Sequence, residues 1–159
     1  MYKEVILDHY KRPRNRRTLA APTGTASRTN PTCGDVVAVT LEERDGTIVA
    51  VAFEGHGCSI SQSSASMMTE AVAGQDRAGV ARLQDAVRSL LTGGAPGGNL
   101  GDLDALGGVA RYPVRVRCAL LAWDVLVLNV YFLVNFIVVT HILYRAFHGR
   151  HYNHKIVVP

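Results

Sequence analysis

Val37-Ala38-Val39-Thr40-Leu41, then Arg44-Asp45-Gly46-Thr47, then Val49-Ala50-Val51-Ala52-Phe53 is the stretch on which the fold turns. Val37, Val39 and Leu41 alternate with their neighbours, as in a half-buried strand. Asp45-Gly46 is a strong hairpin pair, because both central residues of a tight turn must tolerate positive φ. Val49, Val51 and Phe53 are expected along one face of the returning strand. A hairpin brings its two ends together. Cys33 and Asp35, in Asn30-Pro31-Thr32-Cys33-Gly34-Asp35, lie just before it. Cys58, in Gly55-His56-Gly57-Cys58-Ser59-Ile60-Ser61, lies just after it. These two cysteine segments should therefore be neighbours in space.

Outward from the hairpin the chain reads as helices and loops. Residues 2–12 predict a helix with Val5, Ile6, His9 and Tyr10 near one face, stopped by Pro13. Residues 13–34 are rich in Pro, Thr, Ser, Arg and Gly and read as an extended loop. Ser59 to Ala73 predicts a helix capped by Ser59 or Ser61, with Ile60, Ser64, Met67, Met68 and Ala71 on its apolar face. The Met67-Met68 pair belongs to that face rather than to a ligand set. Val80, Leu83, Val87 and Leu90 predict a further helix, ended by Gly93-Gly94. Residues 93–108 read as a flexible loop or irregular insertion. A last helix is expected to begin near Cys118 and to carry Trp123.

The totals narrow the class. A chain of 159 residues suits one domain with a sizeable core. Much of the net charge of +4 sits in Lys11, Arg12, Arg14, Arg16 and Arg17. No aromatic residues interleave with them as a base-stacking surface would require, so a solvated helix end is expected and nucleic-acid binding is not. Three cysteines, an odd number, argue against a disulfide framework. Met1-Tyr2-Lys3-Glu4 leads into an amphipathic segment and not an apolar signal, so a reducing cytoplasm is expected.

The third cysteine is Cys118 in Arg115-Val116-Arg117-Cys118-Ala119. Three thiolates and one carboxylate make a full tetrahedral ligand set for zinc. A turn at Gly34 aims Cys33 and Asp35 at one point, the hairpin adds Cys58, and Cys118 is expected from a helix N-terminus. A second chemistry is nucleophilic. A thiolate at a helix start or on a metal attacks a persulfide or disulfide sulfur. A third possibility is three small buried hydrophobes. Without a Cys-x-x-Cys pair, spacing alone leaves these open. His56 reads as an exposed turn residue.

At these residues the chain resembles the SufU-type proteins of the IscU/NifU N-terminal superfamily. The resemblance is carried by Leu7-Asp8-His9-Tyr10-Lys11-Arg12-Pro13-Arg14-Asn15, by Asn30-Pro31-Thr32-Cys33-Gly34-Asp35, by Gly57-Cys58-Ser59-Ile60-Ser61 with Ser63-Ser64-Ala65-Ser66-Met67-Met68, and by Arg115-Val116-Arg117-Cys118-Ala119-Leu120-Leu121-Ala122-Trp123. The IscU branch has a histidine just before its third cysteine and a shorter approach to it. Arg117 stands there in this chain, which favours SufU. The resemblance implies an α+β fold, a small antiparallel β-sheet with helices packed on one face. It implies zinc held by Cys33, Asp35, Cys58 and Cys118. It implies iron–sulfur cluster assembly, with sulfur accepted on Cys33 from a SufS-type cysteine desulfurase and passed to downstream Suf scaffold proteins. Arg115 matches a family arginine that assists at the site. The alternative is a scaffold on which iron, or a transient [2Fe-2S] cluster, takes the place of zinc.

The resemblance covers residues 1–124 and stops there. Residues 125–159 are apolar through about residue 143 and then basic, with Arg145, His148, Arg150, His151, His154 and Lys155. A buried helix or strand, a tail anchor, and a tail foreign to the domain all fit the run. Asn129 and Asn135 weaken the membrane reading, and no membrane role is expected. The departure fits a reading-frame change or a fused extension better than a selected feature.

Overall fold

The computed structural model describes residues 2–129. The elements run α1 (Tyr2–Lys11), β1 (Gly24–Thr29), β2 (Val36–Arg44), β3 (Thr47–His56), α2 (Ser59–Val72), α3 (Arg77–Leu91), a 3-10 helix (Gly101–Arg111) and α4 (residues 113–129). The strands form one antiparallel sheet in the order β1-β2-β3. Val37, Val39 and Leu41 of β2 and Val51 and Phe53 of β3 are buried in the core. That core is completed by Met67, Met68 and Val72 of α2, Val87 and Leu91 of α3, and Trp123, Val125 and Leu126 of α4.

The β2–β3 turn has positive φ at both Asp45 (51°) and Gly46 (78°). That is the primed geometry an Asp-Gly pair favours. Val36 ends opposite His56, so the hairpin does join the two cysteine segments. Val49 departs from the expected alternation. Glu42 pairs with Ala50 but Glu43 pairs with Ile48, so Val49 is an extra, unpaired residue. This bulge turns Val49 outward (47% exposed) and puts Ile48 (2%) in the core instead.

Two regions read as loops are ordered elements. Within 13–34, Gly24–Thr29 forms β1, an edge strand that is mostly exposed and carries no apolar alternation. Residues 15–17 also run beside β3, where the Asn15 carbonyl accepts from the Phe53 N–H at 3.0 Å. Within 93–108, the 3-10 helix buries Leu103, Ala105 and Leu106, with Val109 beyond. Glycines hid this apolar set from a periodicity reading.

The helices follow their signals more closely. Asp76 caps α3 by accepting the Gly79 N–H at 2.7 Å. On α1, His9 is buried while Tyr10 is exposed. The His9 ring meets Ser66 Oγ at 2.8 Å and Asp102 Oδ2 at 3.1 Å, which ties α1 to α2 and to the 3-10 helix. Pro113 opens α4, where its missing N–H costs nothing. The helix passes residue 124 unbroken, burying Val125 and Leu126, and Asn129 Nδ2 donates to the Val39 carbonyl at 3.2 Å. The apolar run beyond 129 and the basic C-terminal residues lie outside the described residues. Among those described, no helix is long and apolar enough to cross a membrane.

Candidate metal centre

β1 changes the setting of Cys33. Thr29 pairs with Val36, so residues 30–35 are the connection of a second hairpin. The Asn30 N–H donates to the Asp35 carbonyl and the Gly34 N–H to the Asn30 carbonyl, both at 2.8 Å. Gly34 takes φ 76°, which closes the turn at little steric cost. Cys33 is thereby held exposed at a hairpin tip, and Asp35, 5% exposed, sits at its base.

Cys58 is itself the N-cap residue of α2, in place of the serine caps expected, and makes no side-chain capping bond. Ser61 Oγ donates to the Cys58 carbonyl at 3.1 Å, and the Cys58 thiol lies 3.8 Å from the same hydroxyl. Cys118 comes from the second turn of α4, not from its start. Its thiol reaches back to the Val114 carbonyl at 3.8 Å. Ser64 Oγ on α2 donates to the Ala119 carbonyl at 2.6 Å and locks the register of α4 beside it.

These elements converge. The ligand atoms of Cys33, Asp35 and Cys118 all lie within 4.8 Å of one another. The sulfurs of Cys33 and Cys118 are 3.7 Å apart. Cys58 stands beside this trio rather than within it, next to the Asp35 carboxylate and the Arg115 guanidinium. Arg115 is exposed in the first turn of α4, and its pKa is raised first by the charge of Cys58 and by hydrogen bonding to that sulfur, then by Cys118. His56 is exposed, as expected for a turn residue. A cavity of about 610 Å³ between α1, Ile60, the 3-10 helix and Arg115 has no cysteine in its wall. The thiol chemistry therefore sits outside it, at the open tip of the hairpin.

The donor set fits a divalent metal on three counts. Sulfur and carboxylate oxygen suit zinc. Among the described residues, Asp35 Oδ2 is buried without a hydrogen-bond partner. Burial works against charge on that carboxylate, yet the Ser61 hydroxyl, the Cys58 thiol and N–H and the Cys33 thiol offset it, and its pKa is lowered. The Cys118 thiol is pushed up to about 12, by burial first and then by Cys33 and Cys58. Burial and two neighbouring sulfurs thus oppose ionisation of Cys118, and a divalent cation bound among them would favour it.

Asn30 and Gly57 lie inside the cysteine motifs, but nothing in the sequence assigns either of them a role at the site; Asn30-Pro31 by itself signals only a turn. A methyl group on Gly57 would stand 2.6 Å from Asp35 Cγ and 2.8 Å from Oδ1. Gly57→Ala is thus expected to push Asp35 out of the cluster while leaving the sheet intact. Zinc affinity, read by competition with a chelating dye, should fall by at least about tenfold, the scale of lost supporting contacts.

The profile of the NifU-like N terminal domain matches residues 1–131. The chain is 43% identical over 129 residues to the zinc-dependent sulfurtransferase SufU of Bacillus subtilis, covering 79% of this chain and 86% of that one. It is 38% identical over 128 residues to the iron-sulfur cluster assembly scaffold protein IscU of Streptococcus pyogenes, covering 79% and 80%. The solved N-terminal NifU-like structure from Brucella abortus superposes with a TM-score of 0.77 at 28% identity, covering 84% and 94%.

Proposed function

The chain belongs to the NifU-like N-terminal domain family, and on that premise we propose that it is a zinc-dependent sulfur-transfer protein of iron–sulfur cluster assembly. The observation that carries this is the inequality of the thiols. Cys33 is exposed at a hairpin tip, while the Asp35 carboxylate and Cys118 sulfur beside it are buried. Cys33, Asp35, Cys58 and Cys118 would hold the ion, which supplies the positive charge that keeps the thiols deprotonated at neutral pH.

The donor is a cysteine desulfurase of the SufS type, docking over the Cys33 loop. The Cys33 thiolate attacks the outer sulfur of the partner's cysteine persulfide. One S–S bond forms as the other breaks, the partner's cysteine leaves as thiolate, and no net oxidation occurs. Arg115, placed against Cys58 and Cys118, steadies the anionic sulfur on its way. The Cys33 persulfide is then consumed by downstream Suf scaffold proteins, in the cytoplasm.

Metal content separates this from the scaffold alternative. Protein purified without air is expected to carry stoichiometric zinc that resists gel filtration. Labile iron with sulfide in its place would make the chain a cluster scaffold instead.

A further inference from the structure

Asn30 stands at the joint between the two halves of the site. It is 5% exposed, and its backbone closes the Cys33 hairpin through Asp35 and Gly34. Its side-chain Oδ1 accepts the Thr32 N–H at 3.0 Å. A backbone N–H needs an oxygen to meet it, so this bond fixes which way the amide faces. The NH₂ end then points away from the loop, to Cys118 Sγ at 3.7 Å, a hydrogen-bonding separation for sulfur.

We propose that Asn30 is a positioning residue for the sulfur transfer, donating its amide N–H to the Cys118 sulfur so that Cys118 is the ligand that stays when Cys33 leaves. The proposal rests on the zinc-site reading above. A donor aimed at a thiolate stabilises its charge and restricts its motion. Cys118 has that donor and is 1% exposed, whereas Cys33 is exposed at the tip. The same side chain also holds the loop that carries Cys33. The departing sulfur and the staying sulfur are thus registered against each other by one residue.

Asn30→Asp keeps an oxygen for the Thr32 N–H but turns the donor into an acceptor and sets a negative charge against the sulfur. Asn30→Ser also leaves an oxygen near that N–H, is too short to reach Cys118, and adds no charge. Each variant is loaded with cobalt(II), and two quantities are read: the thiolate-to-cobalt charge-transfer band and the rate of metal loss to a chelator. Release is expected to be about 10–100-fold faster in both, more so in Asn30→Asp, with the band displaced. The added charge alone moves both readouts in Asn30→Asp, so the neutral variant decides: a residue that only shaped the loop would leave both unchanged in Asn30→Ser. Wild-type release and band in Asn30→Ser, or in Asn30→Asp should the first not fold, overturn the proposal and leave the zinc site standing. A wild-type chain that holds neither cobalt nor zinc overturns the zinc reading itself, and this proposal with it.

Discussion

Cys33→Ser is expected to reduce desulfurase turnover in the presence of this protein to the rate of the desulfurase alone. The persulfide, located by mass spectrometry of peptides quenched with an alkylating reagent, should disappear from the peptide spanning residue 33. The reason is chemical, not structural. Cys33 is exposed at a turn, and serine fills the same space, so the stability of the metal-free chain should change by no more than about 0.5 kcal/mol. A hydroxyl, however, is not ionised at neutral pH and does not attack a persulfide sulfur, whereas a thiolate does. Cys58→Ser and Cys118→Ser should also lose transfer, but by a different route. They remove a ligand anchored at the α2 cap or in the α4 core, so metal content falls with activity. Cys33→Ser, with three anchored ligands left, should retain more metal than Cys118→Ser. Undiminished stimulation by Cys33→Ser would refute the acceptor assignment outright.

What the sequence made legible follows from how local each signal is. The β2–β3 hairpin was legible because Asp45-Gly46 sets the turn by itself, and the nearness of Cys33 and Cys58 followed from it. Pairing of Val36 with His56 is that inference in register form. β1 was not legible, because Gly24-Thr25-Ala26-Ser27-Arg28-Thr29 has no apolar face and is a strand only through bonding to β2. The bulge at Val49 was hidden for a related reason, since register is a property of two strands. The 3-10 helix was masked by glycines that leave its buried Leu103 and Leu106 without a helical period. Cys118 was expected at a helix start, yet α4 starts at Pro113, a full turn earlier. Its true place is set by contacts distant in sequence, Ser64 with Ala119 and Asn30 with Cys118 itself. The ligand types were readable from composition and motif, but which thiol is exposed and which is buried emerged only from packing.

That division of burial also makes the site a joint of the fold, so removing the metal should cost stability as well as activity. The candidate ligands come from the tip and the base of the β1–β2 loop, the cap of α2 and the second turn of α4, elements that meet here from far apart in the chain. Anything that binds the folded state alone stabilises it by mass action, about 4 kcal/mol at a free concentration a thousand times Kd. For a chain of this size each kcal/mol is about 2–4 °C of melting temperature, so chelation should lower the transition by about 10 °C. Without the ion, the buried Cys118 sulfur and the buried Asp35 Oδ2 have lost what compensated their burial. The sheet and the Trp123 core do not depend on the ion, so the metal-free chain should still melt cooperatively. Cys118→Ser is the control: it should melt near the metal-free wild type and show no chelator-dependent shift. If zinc-loaded wild type melts at the same temperature with and without chelator, the ion does not bridge these elements. The convergence of loop, helix cap and α4 would then need another cause.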